Sequence, residues 1–143
     1  MKGVVLLGDA KLAVKELDDP KPGRGEVVVR TKASGICGSD IYMYQASAKW
    51  REGKPERVSG HEPAGIVEEI GEGVSTVKPC DRVTRYHYIG CGKCDRCRSG
   101  MWQWCSETQG LGGHVNGGHA ELVLVKEENC FVLPDELSFI DGA

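Results

Sequence analysis

Apolar residues in this chain come in short runs, and turn-forming residues separate them. Residues 4–7 and 12–17 flank Gly8-Asp9, the kind of dipeptide that joins two strands, and so predict an opening β-hairpin. After a breaker-rich loop at 19–25, residues 26–32 alternate valine with charge and predict a strand. Residues 63–70 predict another, closed by Gly71-Glu72-Gly73, and 81–86, 119–125 and 130–133 add three more. Helical signal is sparse: a short helix over 40–45 after Gly38-Ser39, and one turn over 95–99. Residues 133–143 read as a strand end followed by an interrupted helix start. The pattern is that of a mainly β fold, a small barrel or sandwich with short helices.

Composition narrows this picture. A length of 143 residues suits one folding unit with its own core, and no repeat or low-complexity linker divides it. Twenty glycines suit a loop-rich β-protein. A net charge of −3 gives no electrostatic footprint for nucleic acid or an anionic membrane. No apolar run approaches the roughly 18 residues that span a bilayer, and the start does not read as a secretory signal, so a cytoplasmic location is expected. In that reducing compartment, seven cysteines are better read as a metal site or reactive centre than as disulfides.

Four of the seven, Cys91, Cys94, Cys97 and Cys105, follow C-x2-C-x2-C-x7-C, with Gly92 and Gly100 letting the backbone curl around a common centre. The spacing predicts a closed tetrahedral Zn(Cys)4 site that holds a loop together and leaves no coordination position for chemistry. A nucleic-acid-binding zinc module would need a basic recognition helix beside the knuckles. Met101-Trp102-Gln103-Trp104 follows instead, a segment suited to packing of the lobe or a subunit contact.

A second constellation pairs Gly35-Ile36-Cys37-Gly38-Ser39-Asp40 with Gly60-His61-Glu62-Pro63, each placing a zinc ligand type beside glycine. Open catalytic sites gather ligands from separate loops in this way. The pattern is not that of a zinc protease, since Gly65 stands four residues after His61.

Taken together, GICGSD at 35–40, GHEPAG at 60–65, DRV at 81–83, the cysteine lobe and GGHAEL at 117–122 closely resemble the GroES-like catalytic domain of zinc-dependent medium-chain alcohol and polyol dehydrogenases, such as sorbitol or threonine dehydrogenases. The resemblance covers nearly the whole chain. It implies one domain over 1–143, a partly open β-barrel with short helices and a zinc lobe at about 88–108. It further implies two zinc ions: a structural one on the four lobe cysteines, and a catalytic one on Cys37 and His61 with Glu62 bound to it or close behind. Asp40 matches the carboxylate that orients the histidine ligand, a role with its own physical basis because metal-bound imidazole donates its other N–H to such a group. Ser39 matches the hydroxyl that takes the substrate alcohol's proton; its plainer role is helix N-cap.

The implied substrate is a small secondary alcohol or polyol, with hydride passing to NAD(P). Gly110-Leu111-Gly112-Gly113-His114-Val115 fails the dinucleotide fingerprint. The family's nucleotide-binding Rossmann domain follows the point where this chain ends, so an isolated domain with no cofactor site and no turnover of its own is expected. Apolar surface left where that domain docks favours homo-oligomers. The alternative is a non-catalytic zinc-stabilised module.

Other residues stay with plain readings. Cys80 stands where the family usually has glycine; it and Cys130 are read as small buried residues. His87, between Tyr86 and Tyr88, has two readings, a residue lining the substrate cleft or, more plainly, a strand position beside the lobe; Trp50 and Tyr44 read as packing aromatics that the resemblance also places at a pocket wall, and His114 and His119 carry no spacing argument.

Overall fold

In a computed structural model describing residues 1–143, the chain opens on the expected hairpin, β1 (Lys2–Gly8) and β2 (Lys11–Glu16). Its turn residues Asp9 and Ala10 sit at φ 50° and 56°, the left-handed pair that suits a two-residue hairpin turn. β3 (Glu26–Ser34), α1 (Gly38–Gln45), a 3-10 turn at Ala48–Arg51, β4 (Pro63–Ile70) and β5 (Arg82–Arg85) follow. After β6 (Tyr88–Ile89) come α2 (Asp95–Arg98), a 3-10 turn at Trp102–Trp104 and β7 (Gln109–Gly110). The chain then forms β8 (Leu122–Lys126), a 3-10 turn at Glu127–Asn129 and β9 (Cys130–Val132).

Five strands make one antiparallel sheet in the order β8-β3-β4-β5-β9, with β1-β2 and β6-β7 as separate ribbons. Bridges Gly3↔Ala120 and Val5↔Val58 stitch the hairpin to neighbouring loops, giving the partly open barrel. Val27 and Val29 of β3, Val67 of β4, Val83 of β5, and Val123 and Val125 of β8 enclose the core with Val77 and Leu111. Alternate strand positions share a face, and each fully buried valine contributes about 1.5–3 kcal/mol.

The β3–β4 register brings the two candidate ligand segments together. Ser34 at the end of β3 lies opposite Pro63 at the start of β4, and Gly35 N–H extends the ladder by donating to Glu62 O at 3.0 Å. Cys37 leaves β3 where His61 and Glu62 enter β4, so residues 24 positions apart converge.

Three expectations about local structure need correction. Residues 134–143 form turns, not a helix start: Arg82 donates to the carbonyls of Pro134 at 3.2 Å and Asp135 at 3.0 Å, and the Asp141 carboxylate accepts from both Ser138 N–H and Ser138 Oγ. Such side-chain bonds compete with helix nucleation in a short segment. The strand expected over 119–125 begins only at Leu122, because His119 N–H donates to Ser59 O and His119 O accepts from Val4.

Cys80 is exposed, not buried, at φ 74° in a turn closed by Asp81 N–H donating to Lys78 O. A left-handed residue with a Cβ costs roughly 1–2 kcal/mol, partly offset by the extra unfolded-state entropy of glycine. Cys80→Gly is therefore expected to stabilise the chain by about 0.5–1 kcal/mol, raising Tm by roughly 2–4 °C in a thermal melt. Cys130 does pack against the core, and burial pushes its thiol up to about 11.

Candidate metal centres and active site

The lobe hangs between β6 and β7. Cys94 precedes α2 and its Sγ accepts from Cys97 N–H at 3.5 Å, while Cys105 Sγ accepts from Glu107 N–H at 3.3 Å. The sulfurs of Cys91, Cys94, Cys97 and Cys105 all lie within 4.8 Å of one another. Backbone N–H groups of Lys93 and Cys94 pull the Cys91 thiol down to about 7, whereas desolvation pushes Cys97 up to about 12. Four sulfurs this close do not ionise together without a cation between them, and the donor set suits a closed tetrahedral zinc. Trp102 packs the lobe, donating Nε1–H to Cys97 O at 3.2 Å, while Trp104 is left 62% exposed.

The second set stands at the mouth of β3 and β4. Donor atoms of Cys37, His61 and Glu62 lie within 4.8 Å of one another, each residue half-buried. Three of the four positions of a tetrahedral shell are supplied from two loops, which leaves one position open. Asp40, 4% exposed, ties this set to the helix: its Oδ2 accepts from Cys37 N–H at 2.9 Å, and its Oδ1 faces His61 Nδ1 at 3.7 Å. That Oδ1 is buried with no hydrogen-bond partner. An unpaired buried carboxylate oxygen aimed at an imidazole fits a histidine that carries its proton on Nδ1 while Nε2 holds a metal.

Ser39 does not cap the helix. α1 starts at Gly38 with Cys37 as its N-cap, so Ser39 lies inside the first turn, exposed, with Oγ 3.4 Å from His61 Nε2. Gly35 leaves room for the Glu62 carboxylate, since a Cβ there would meet Glu62 Oε2 at 2.6 Å and push that carboxylate aside.

Further residues surround this set. His87 sits at the site and not on a strand: its ring lies 5.6 Å from that of His61, and burial lowers its pKa below the ordinary histidine value, with His61 adding to the effect. Asn129, fully buried, fixes this segment by donating Nδ2–H to Tyr86 O and Tyr88 O at 3.1 and 2.7 Å. Trp50 walls an apolar recess with Tyr42 and Met43, and Tyr44 accepts from Ala10 N–H through its carbonyl.

His119 bridges the two ligand-bearing loops. Its Nε2–H donates to Gly35 O at 3.0 Å, and its Nδ1 lies within hydrogen-bond distance of Ser59 Oγ, 3.0 Å away. Gly60, at φ 87°, makes room for the ring, which a Cβ there would meet at 2.5 Å. His119→Phe keeps the bulk and loses both tethers. It is expected to weaken zinc at the open set by about 10–100-fold, as loss of a residue that orients ligands does, and to leave the lobe's zinc unchanged. Competition with a chromophoric chelator checks this, and His119→Gln, which can still reach Gly35 O, should recover part of the loss.

A barrel that carries one closed four-thiol cluster and one open cysteine–histidine–carboxylate cluster has the build of a zinc-type catalytic domain. The alcohol dehydrogenase GroES-like domain family matches residues 23–135, and the chain belongs to that family. Similar proteins include an alcohol dehydrogenase of Geobacillus stearothermophilus, 40% identical over 92% of this chain and 39% of its own length. Among solved structures, galactitol-1-phosphate dehydrogenase from Escherichia coli superposes with a TM-score of 0.87 at 32% identity, covering 99% of this chain and 40% of that one. An alcohol dehydrogenase from Escherichia coli CFT073, solved with NADH, gives 0.84 at 32% identity over 97% and 40%. The chain thus spans about two fifths of the length of these relatives.

Proposed function

We propose that this chain is the catalytic domain of a zinc-dependent NAD(P) dehydrogenase that oxidises a secondary alcohol or polyol to a ketone, and that by itself it turns over nothing. The carrying observation is the convergence of Cys37, His61 and Glu62 on one point, with Ser39 beside them and the unpaired Asp40 oxygen behind. A zinc ion held by these three residues would supply the Lewis acidity that makes an alcohol a better proton donor at neutral pH. Ser39 Oγ is placed to accept the alcohol's proton as its own passes to solvent, which its exposure permits. Asp40 holds His61 by charge and Cys37 through its N–H, fixing both donors before substrate arrives. A nicotinamide would supply the hydride acceptor for the carbinol carbon, and the NADH in the similar Escherichia coli structure supports that cofactor.

The nicotinamide would come with a nucleotide-binding domain, and the exposed apolar residues Phe131, Val132, Leu137 and Ile140 near the chain's end give such a domain, or a second copy, a surface to cover. A purely structural zinc module has no physical need for an open donor set with a hydroxyl and a buried carboxylate beside it. Cobalt substitution tests the reading. Adding a polyol should shift the visible spectrum of the cobalt-loaded chain through the open centre alone, because the four-thiol centre has no free position. Loss of the shift in Cys37→Ser supports the proposal, and a spectrum blind to every alcohol tried would overturn it.

A further inference from the structure

A cleft of about 500 Å³ opens between the 3-10 turn at Ala48–Arg51 and the loop after β7, lined by Trp50, Arg51, Lys54, Arg57 and His114 with Gly112 and Gly113. No carboxylate lines it. Arg51 and Lys54 make no ion pair, and Arg57 gives only its Nε–H, to His114 O at 3.1 Å. The acidic residues nearest in sequence do not cancel this charge: Glu56 is paired with Lys15 of β2, and Glu52 does not line the cleft. Two of the cations are pre-placed on the Trp50 ring, Lys54 Nζ at 4.2 Å and Arg51 Cζ at 5.4 Å from its centre. Three like charges around one concavity repel each other until an anion enters, and guanidinium groups match the oxygens of a phosphate two at a time.

The cleft shares a wall with the loop that carries His61. Gly112 packs on Gly60, so closely that a Cβ there would lie 3.1 Å from Gly60 N and O, and the next residue is His61. Trp50 also walls the recess at the far end of α1, the helix that carries Ser39 and Asp40. Its volume is within the range of small-molecule sites, roughly 300–1,000 Å³. We propose that this cleft is an anion subsite that takes the phosphate monoester of a phosphorylated polyol, whose hydroxyl end reaches the Cys37–His61–Glu62 set. Three cations exceed what a carboxylate neutralises and match a phosphate ester, which carries about −1.5 to −2 near neutral pH. The inference rests on the alcohol-oxidation reading for the hydroxyl end only.

The test is a titration of the zinc-loaded chain with sorbitol 6-phosphate, sorbitol and inorganic phosphate, followed at the Trp50 indole resonance. Sorbitol 6-phosphate should bind at least about tenfold more tightly than either of the others, since each charge-assisted contact is worth that order of affinity. The preference should fall with added salt and vanish in the Arg51→Gln/Lys54→Gln double variant, whose zinc content and melting temperature serve as the control for folding. Equal binding of the three probes, or a preference that survives the double variant, overturns the proposal. Inorganic phosphate binding as tightly as the ester would also overturn it, since the cleft would then hold a free anion and not a substrate's tail. Cys37→Ser separates the two readings: if the phosphate preference persists there undiminished, the cleft stands and the alcohol-oxidation reading alone is weakened.

Discussion

Cys94→Ser should lose the lobe's zinc and, with it, the order of residues 91–105. Cys94 is both a donor in the four-sulfur cluster and the N-cap whose sulfur accepts from Cys97 N–H. α2 is only four residues long, too short to persist without the metal that gathers its flanks. Structural zinc supplies folding free energy directly, roughly 10–16 kcal/mol in small zinc modules at neutral pH, and three remaining thiols cannot close a tetrahedron. The affinity loss should exceed the roughly 10–100-fold that follows removal of a residue that only orients a ligand. Limited proteolysis should cut the variant within the lobe, while the core valines of β3, β4 and β8, which lie outside it, keep the barrel folded. A lobe as protease-resistant as the wild type's would contradict this.

Asp40→Ala should disable the open centre without touching the lobe. The substitution removes the acceptor for Cys37 N–H, costing about 0.5–2 kcal/mol as loss of a helix-terminal side-chain bond does. It also removes the only buried charge facing His61 Nδ1, so zinc affinity at Cys37, His61 and Glu62 should fall by about 10–100-fold. Asp40→Asn separates the two effects. The amide oxygen can still accept from Cys37 N–H, so stability should return toward wild type while zinc affinity stays low, because an amide lacks the charge that holds His61. Thermal melts and chelator competition on the two variants give the comparison, and equal zinc affinity in Asp40→Asn and wild type would remove Asp40 from the proposed role.

The strands were legible where turn dipeptides and alternating valines coincide, as in β1, β3 and β4, and β4 runs over the same residues as its sequence pattern. The two donor sets were legible because cysteine, histidine and glutamate beside glycine carry a chemical signature that survives without coordinates. What escaped depends on residues far apart in the chain. His119 gains its place from Gly35 and Ser59, 84 and 60 positions away, and an isolated histidine near a strand start gives no hint of either partner. His87 reads as a strand residue until Asn129, 41 to 43 positions from its two acceptors, bends the Tyr86–Tyr88 segment toward His61. Cys80 misled because cysteine is usually buried, whereas the turn demands a left-handed backbone there whatever the side chain. β6 and β7, two residues each, are shorter than any periodicity can register.

Zinc counted per chain by elemental analysis, on the wild type, Cys37→Ser and Cys94→Ser purified under reducing conditions, tests the two-centre account most directly. The account predicts two zinc ions in the wild type, with one lost in each variant and the barrel still folded in Cys37→Ser. A single zinc that survives Cys37→Ser and disappears in Cys94→Ser would contradict it, leaving the lobe as the only centre this chain forms.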